Sequence, residues 1–264
     1  MKTSVLSLAS VSKSYGGVRA VQNVSLSIYS GSVHGLIGPN GAGKSTLIGL
    51  ITGFIVADSG QITFEEARID GRPPADIAKL GISRTFQQAT PIVGLTVLEN
   101  IMVGLHAEYR ASMASVLFRT ASMRHEARAI RERAERLLQD FGLGDDADAL
   151  ATDLPFGKLR FLEIARSVAH RPKTLLLDEP AAGLNAAETE RLGGLIRNLS
   201  QSGVGILLVD HDVPFVFGLC DTVTVMNFGS IIASGPASTV YQESAVREAY
   251  LGAPEAQQEK LECS

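Results

Sequence analysis

An α/β fold, with a parallel sheet and a helical insertion, is the class this sequence predicts. Three observations carry that expectation. Val33-His34-Gly35-Leu36-Ile37 reads as a short buried strand that runs into a glycine-rich turn and then a helix from Ser45 to Thr52. Thr174–Leu177 and Val204–Val209 are short continuous apolar runs of the kind buried in a parallel sheet, with Asn185-Ala186-Ala187-Glu188 capping a helix between them. From about Leu95 to Arg166 the pattern turns helical, opened by the capping box Thr96-Val97-Leu98-Glu99.

The elements follow in order. Ser4–Ala9 and Val24–Tyr29 alternate apolar and polar residues and read as strands ahead of the glycine-rich turn. Gly60–Phe64 and Ile82–Phe86 are further strand candidates. Arg124–Gln139 carries interspersed Arg and Glu and closes on Leu137 and Leu138. Acids alternate with bases there, so the run reads as a solvated helix face rather than a nucleic-acid patch. Residues from Pro254 onward are polar and read as a frayed end. The chain shows no internal repeat and no low-complexity segment.

Composition narrows the function classes. A chain of 264 residues with 45% hydrophobic and 20% charged content can bury a large core. A formal charge of −4 gives no overall pull toward nucleic acid. The longest apolar runs, such as Gly205-Ile206-Leu207-Leu208-Val209, are far too short to span a bilayer, and the first residues lack the apolar region of a secretory signal. Any membrane role is therefore expected to come through a partner. Cys220 and Cys263 lie in no metal-ligand spacing and read as inert thiols of a reducing, cytoplasmic compartment.

Gly38-Pro39-Asn40-Gly41-Ala42-Gly43-Lys44-Ser45 fits the phosphate-binding pattern GxxxxGK[ST] at every fixed position. The glycines let backbone N–H groups turn inward around a polyphosphate. Lys44 supplies a charge for the β- and γ-phosphates, and Ser45 offers a hydroxyl to Mg²⁺. The helix that starts there points its positive end at the anion. Leu175-Leu176-Leu177-Asp178-Glu179-Pro180 places two carboxylates at the C-terminal end of an apolar strand, where open α/β sheets bind ligands. Asp178 suits the surroundings of Mg²⁺, and Glu179 suits a base that polarises an attacking water.

With these two constellations in place, the chain resembles the nucleotide-binding subunits of ATP-binding cassette (ABC) transporters over almost its whole length. The resemblance implies a P-loop NTPase core with an N-terminal antiparallel β subdomain and an inserted α-helical subdomain. Residues 1–253 would form one ATPase domain with the insert at about 92–166, followed by a polar tail at 254–264. ATP contacts would extend over Gly38, Pro39, Asn40, Gly41, Ala42, Gly43, Lys44, Ser45 and Thr46. Ser12-Lys13-Ser14-Tyr15-Gly16-Gly17 resembles the family's adenine loop, which makes Tyr15 the stacking ring. Arg84-Thr85-Phe86-Gln87-Gln88 resembles the glutamine loop, with Gln87 reaching Mg²⁺ and the water, or Gln88 if the register slips by one. Ala181-Ala182-Gly183-Leu184-Asn185 stands where the dimer-contacting D-loop lies, with Asn185 in place of the commoner aspartate. Val209-Asp210-His211-Asp212 resembles the switch-histidine segment, so His211 would hydrogen-bond the γ-phosphate.

One motif departs from the family. In place of Leu-Ser-Gly-Gly-Gln the chain has Leu154-Pro155-Phe156-Gly157-Lys158. Pro155 has no hydroxyl for the partner's ATP, although proline suits a helix start. Gly157 can still present its N–H, and Lys158 can add a charge. The resemblance further implies ATP and Mg²⁺ as ligands, a second ATP-binding subunit in a homo- or heterodimer, integral-membrane permeases and, indirectly, a solute-binding protein. It implies no nucleic acid, and a peripheral place on the cytoplasmic face of the inner membrane. His34-Gly35-Leu36-Ile37, Ile51-Thr52-Gly53-Phe54, Leu98-Glu99-Asn100-Ile101-Met102-Val103-Gly104, Asp178–Asn185 and the ending Ala249-Tyr250-Leu251-Gly252 are similar to the ATP-binding subunits of branched-chain amino-acid importers. Urea-type import and lipopolysaccharide-export ATPases share parts of these runs. A soluble ABC protein acting on ribosomes or DNA is the alternative from another class; one phosphate loop and no sustained heptads count against it. A small-molecule kinase on the same loop would need a hydroxyl acceptor that nothing implies.

Overall fold

The computed structural model describes residues 3–85, 90–105 and 121–242, with side chains left aside at 121–124 and 126. Strands β1 (Ser4–Tyr15), β2 (Val18–Tyr29), β4 (Ser59–Phe64) and β5 (Ala67–Arg68) form an antiparallel sheet in the order β2-β1-β4-β5. β1 and β2 run well past the alternating stretches that the sequence marks. The reason is bulging: the β1–β2 register shifts between Leu8 and Val11, and Ser10 and Asn23 take positive φ. Each shift moves the next side chain to the other face, so one alternation cannot describe the whole strand.

The second sheet holds β3 (Val33–Ile37), β6 (Ile82–Arg84), β7 (Thr174–Asp178), β8 (Gly205–Val209), β9 (Thr222–Asn227) and β10 (Ser230–Pro236). Its order is β10-β9-β3-β8-β7-β6; all neighbours are parallel except the edge hairpin β9–β10. β3, β7 and β8 are buried along their whole length. Alternate residues feed two cores. Val33, Ile37, Leu175, Leu177, Ile206 and Leu208 pack toward the helices. Leu36, Leu176, Leu207 and Val209 pack toward the antiparallel sheet and helix α1 (Lys44–Ile51). Each such side chain contributes about 1.5–3 kcal/mol on burial, which explains the apolar runs on both faces.

The other helices are α2 (Pro74–Leu80), α3 (Val97–Gly104), α4 (Ala121–Asp140), α5 (Phe156–Val168), α6 (Ala186–Gln201), α7 (Val213–Leu219) and α8 (Ala237–Val240). The capping boxes read from the sequence open α3 and α6. Thr96 Oγ1 accepts the Glu99 N–H at 3.2 Å, and Asn185 Oδ1 accepts the Glu188 N–H at 3.0 Å. α4 has the solvated face that its charge pattern predicts. Arg128–Glu132 and Arg131–Glu135 pair at 2.9 and 2.8 Å in solvent, while Ala134 and Leu138 are buried. The strand expected over Ile82–Phe86 ends at Arg84; Phe86 and the polar tail lie outside the described residues.

β3 also carries a buried histidine. His34 sits between the Thr222 hydroxyl, 3.0 Å from Nδ1, and the Thr224 hydroxyl, 2.9 Å from Nε2. Burial lowers its pKa from 6.5 to about 4. The unfolded chain therefore binds the proton first as pH falls, so this contribution is full above pH 6.5 and lost toward pH 4. At pH 4 the loss relative to neutral pH is about 3 kcal/mol. Urea titrations are expected to show the wild type losing that much more stability than His34→Gln between pH 7 and pH 4. Parallel pH profiles for the two proteins would exclude His34 as the titrating group.

Candidate functional site

The glycine-rich turn links β3 to α1. Gly38 and Gly43 have φ of 156° and 104°. A Cβ on either would run into a backbone oxygen, that of Met226 or of Ala20 respectively, so both positions need glycine. Lys44 is buried, and its ammonium donates to the carbonyls of Gly38 at 2.6 Å and Pro39 at 3.1 Å. Burial lowers its pKa, and the carboxylates of Glu179 and Asp178 oppose that shift. The loop is also pinned from outside, because the Gly229 N–H donates to the Ala42 carbonyl at 3.0 Å.

Asn40 through Thr46 line an open cleft of about 540 Å³. Asp178 and Glu179 stand on the same cleft, brought there by the end of β7. The sequence-based pairing of phosphate loop and carboxylates is thus a spatial one. Asp178 is 1% exposed, and Arg84 from the neighbouring β6 holds its Oδ2 at 2.9 Å. Glu179 takes a positive φ of 49° and donates its N–H to the Val209 carbonyl at 2.7 Å. A left-handed backbone costs a non-glycine residue of order 1 kcal/mol and is held only where surrounding bonds dictate it.

His211 follows β8 with its side chain 66% exposed. Its Nδ1 lies 4.0 Å from Glu179 Oε2 and 3.7 Å from Asp210 Oδ1. Asp210 organises this corner. One oxygen accepts the N–H groups of His211 at 2.8 Å and Asp212 at 3.0 Å, and the other accepts that of Ala181 at 3.2 Å. It therefore ties the histidine segment to the turn after Glu179. Sequence reasoning gave Asp210 no role, although an aspartate directly after a buried strand is the usual opening of such a side-chain-bonded turn.

Tyr15 ends β1 and is exposed, with the Lys13 ammonium 5.6 Å from its ring centre. The described residues that line the cleft include Gly17 and Val18 from this hairpin but not Tyr15. Gln87 and Gln88 lie outside the described residues. The altered motif lies elsewhere: none of its residues lines the cleft of its own chain. Leu154 is buried, and Pro155 is the N-cap of α5 with φ −55°. Phe156 packs on Gly183, where a Cβ would come within 2.7 Å of its ring. Gly157 is closed in by the Glu188 carboxylate. Lys158, expected as an added charge for a partner's nucleotide, is paired with Asp146 at 2.7 Å within its own subunit. Sequence reasoning also gave no role to Arg84 and did not identify Phe228, which lines the cleft from the β9–β10 turn.

Residues 21–182, more than half of the chain, match the family described as ABC transporter. The high-affinity branched-chain amino acid transport ATP-binding protein LivG of Escherichia coli strain K12 is 38% identical over 253 residues, covering 96% of this chain and 99% of that protein. The corresponding protein BraF of Pseudomonas aeruginosa is 37% identical over the same shares. A crystal structure of the ADP conformation of an ATP-binding cassette of an ABC transporter superposes with a TM-score of 0.82 at 33% identity, covering 95% of this chain and 99% of that one. A dimeric cassette in a post-hydrolysis state, bound to ADP and phosphate, matches with a TM-score of 0.75 at 25% identity over 88% of this chain and 98% of that one. Phosphate loop and carboxylate pair on one cleft, near-complete alignment and shared architecture agree: this chain belongs to the ABC transporter family, as an ATP-binding subunit that hydrolyses ATP to power transport.

Proposed function

We propose that this subunit powers import of branched-chain amino acids. The observation that carries the solute class is the end-to-end match to LivG and BraF, because the cleft itself recognises nucleotide and not cargo. No helix among the described residues is long and apolar enough to cross a membrane, so permease subunits supply the path. A solute-binding protein delivers the cargo, and the subunit sits peripherally on the cytoplasmic face. Residues 1–253 act as one ATPase domain, with the helical insert at about 92–166 facing the permeases.

The residues divide the chemistry as follows. Loop N–H groups and Lys44 hold the β- and γ-phosphates. The Ser45 hydroxyl and the Asp178 carboxylate are hard oxygen donors on one cleft, a set that fits Mg²⁺ with the nucleotide's own oxygens and Gln87. Bound Mg²⁺ neutralises charge on the triphosphate. Glu179 accepts the proton of the attacking water as its oxygen bonds to the γ-phosphorus. The bond from that phosphorus to the bridging oxygen breaks, and ADP and phosphate leave. His211 steadies the γ-phosphate, and Tyr15 contributes an aromatic ring at the base end. The residues Leu154–Lys158 stand away from their own cleft, which suits a head-to-tail dimer where α5 of each subunit closes on the other's nucleotide.

Uptake measurements test the solute. Cells lacking this chain are expected to lose most high-affinity uptake of radiolabelled leucine, isoleucine and valine, and to regain it on re-expression. Unchanged uptake of all three would reject the solute assignment without touching the ATPase assignment.

A further inference from the structure

We infer that Phe228 is a nucleotide-positioning residue that supports the purine base; this rests on the reading of the cleft as the ATP site. The side chain is 80% exposed, among the most exposed large apolar side chains described. It lines the same cleft as Lys44, Ser45, Val18 and Glu179. An aromatic ring in water beside a phosphate cradle is a poor choice for solubility alone. The base of a nucleotide is the one part of the ligand with a flat apolar face to offer it.

The backbone sharpens the point. Asn227 pairs with Ser230, so Phe228 and Gly229 are the two central residues of a tight hairpin. Both have positive φ, 43° and 80°. Such turns favour Asn-Gly or Asp-Gly, and a bulky residue at the first position is held against its local preference. Violations of a local rule concentrate where function requires a side chain in a given place. Here two bonds tie the turn to β2 and one ties it to the nucleotide loop. Gln22 Nε2 donates to the Phe228 carbonyl at 2.8 Å, the Gln22 N–H donates to the Gly229 carbonyl at 2.8 Å, and the Gly229 N–H donates to Ala42 at 3.0 Å. The backbone that carries the ring thus keeps a fixed relation to the phosphate loop. Tyr15, the ring expected from the sequence, is not on the described lining of this cleft, whereas Phe228 is.

The test uses Phe228→Asn in the full chain, which places the residue type this turn favours and so preserves the fold. Isothermal titration with MgATP and with magnesium tripolyphosphate, which has no base, separates base contact from loop shape. The variant is expected to bind ATP about tenfold more weakly, in the range of one lost base–aromatic contact. It should bind tripolyphosphate as the wild type does, and Phe228→Trp should restore ATP affinity. Equal losses for both ligands would overturn the proposal, because the ring would then act through the loop. Unchanged ATP affinity, in a protein where Lys44→Ala weakens it, would reject Phe228 and leave the cleft standing. Unchanged ATP affinity with weakened ATP-driven dimerisation would assign the ring to the subunit interface and likewise overturn it. If Lys44→Ala binds ATP normally, the cleft reading itself falls and takes this inference with it.

Discussion

Glu179→Gln is expected to lower the steady-state ATPase rate roughly 10²–10⁴-fold, the worth of one positioned base, while ATP affinity stays close to that of the wild type. Glutamine keeps the shape and the backbone bond to Val209 but cannot take a proton. Placement favours this carboxylate, rather than Asp178, for the role of base that we propose. Asp178 is 1% exposed and has one oxygen engaged by Arg84 at 2.9 Å, which leaves its other oxygen for the metal proposed above rather than for a water's proton. Glu179 is partly exposed, lines the cleft and lies 4.0 Å from His211, so it can reach a water beside a γ-phosphate. The measurement is phosphate release by the purified subunit with its permeases, paired with ATP titration. A wild-type rate in Glu179→Gln would remove Glu179 from the base role. A lost rate with equally lost ATP affinity would mean that the carboxylate holds the loop instead.

The sequence made the machinery legible where chemistry is local. β3, the capping boxes at Thr96 and Asn185, and the strand ending in Asp178 each depend on residues within a few positions of one another. What stayed hidden depends on pairing across the chain. Arg84 meets Asp178 over 94 residues, because β6 and β7 are neighbours only in the folded sheet. Lys158 meets Asp146 from twelve residues away, with a further helical turn at Ala151–Asp153 between them. Thr222 and Thr224 look like the wet face of β9, yet they hold a buried histidine. Phe228 looks like an ordinary apolar residue until the turn around it is known to need positive φ. Pairings of this kind leave no periodic trace, and a single sequence offers no other signal for them.

Lys44→Ala is expected to weaken ATP binding about 100-fold, and the bonds that the ammonium makes within its own loop explain why the loss is not larger. A charge-assisted hydrogen bond contributes about 1.5–3 kcal/mol, and Lys44 is placed to make two, to the β- and γ-phosphates. Its ammonium already bonds to the Gly38 and Pro39 carbonyls. Turning to ATP gives those bonds up, so the net gain is about one charged bond beyond the exchange; a factor of 100 corresponds to about 2.7 kcal/mol. The carboxylates add to the effect. Asp178 and Glu179 line the same cleft, and both carboxylates act on the Lys44 charge. Removing it leaves anion facing anion in a partly desolvated space. Wild-type affinity should therefore fall with added salt more steeply than that of the variant. The substitution also frees two loop carbonyls, so Lys44→Met, which keeps the buried stem, is the paired control. If Lys44→Met binds ATP like the wild type, the charge is dispensable and the phosphate-loop assignment fails. If Lys44→Ala and Lys44→Met lose affinity together with little change in thermal stability, the loss belongs to the ammonium and its contact with phosphate.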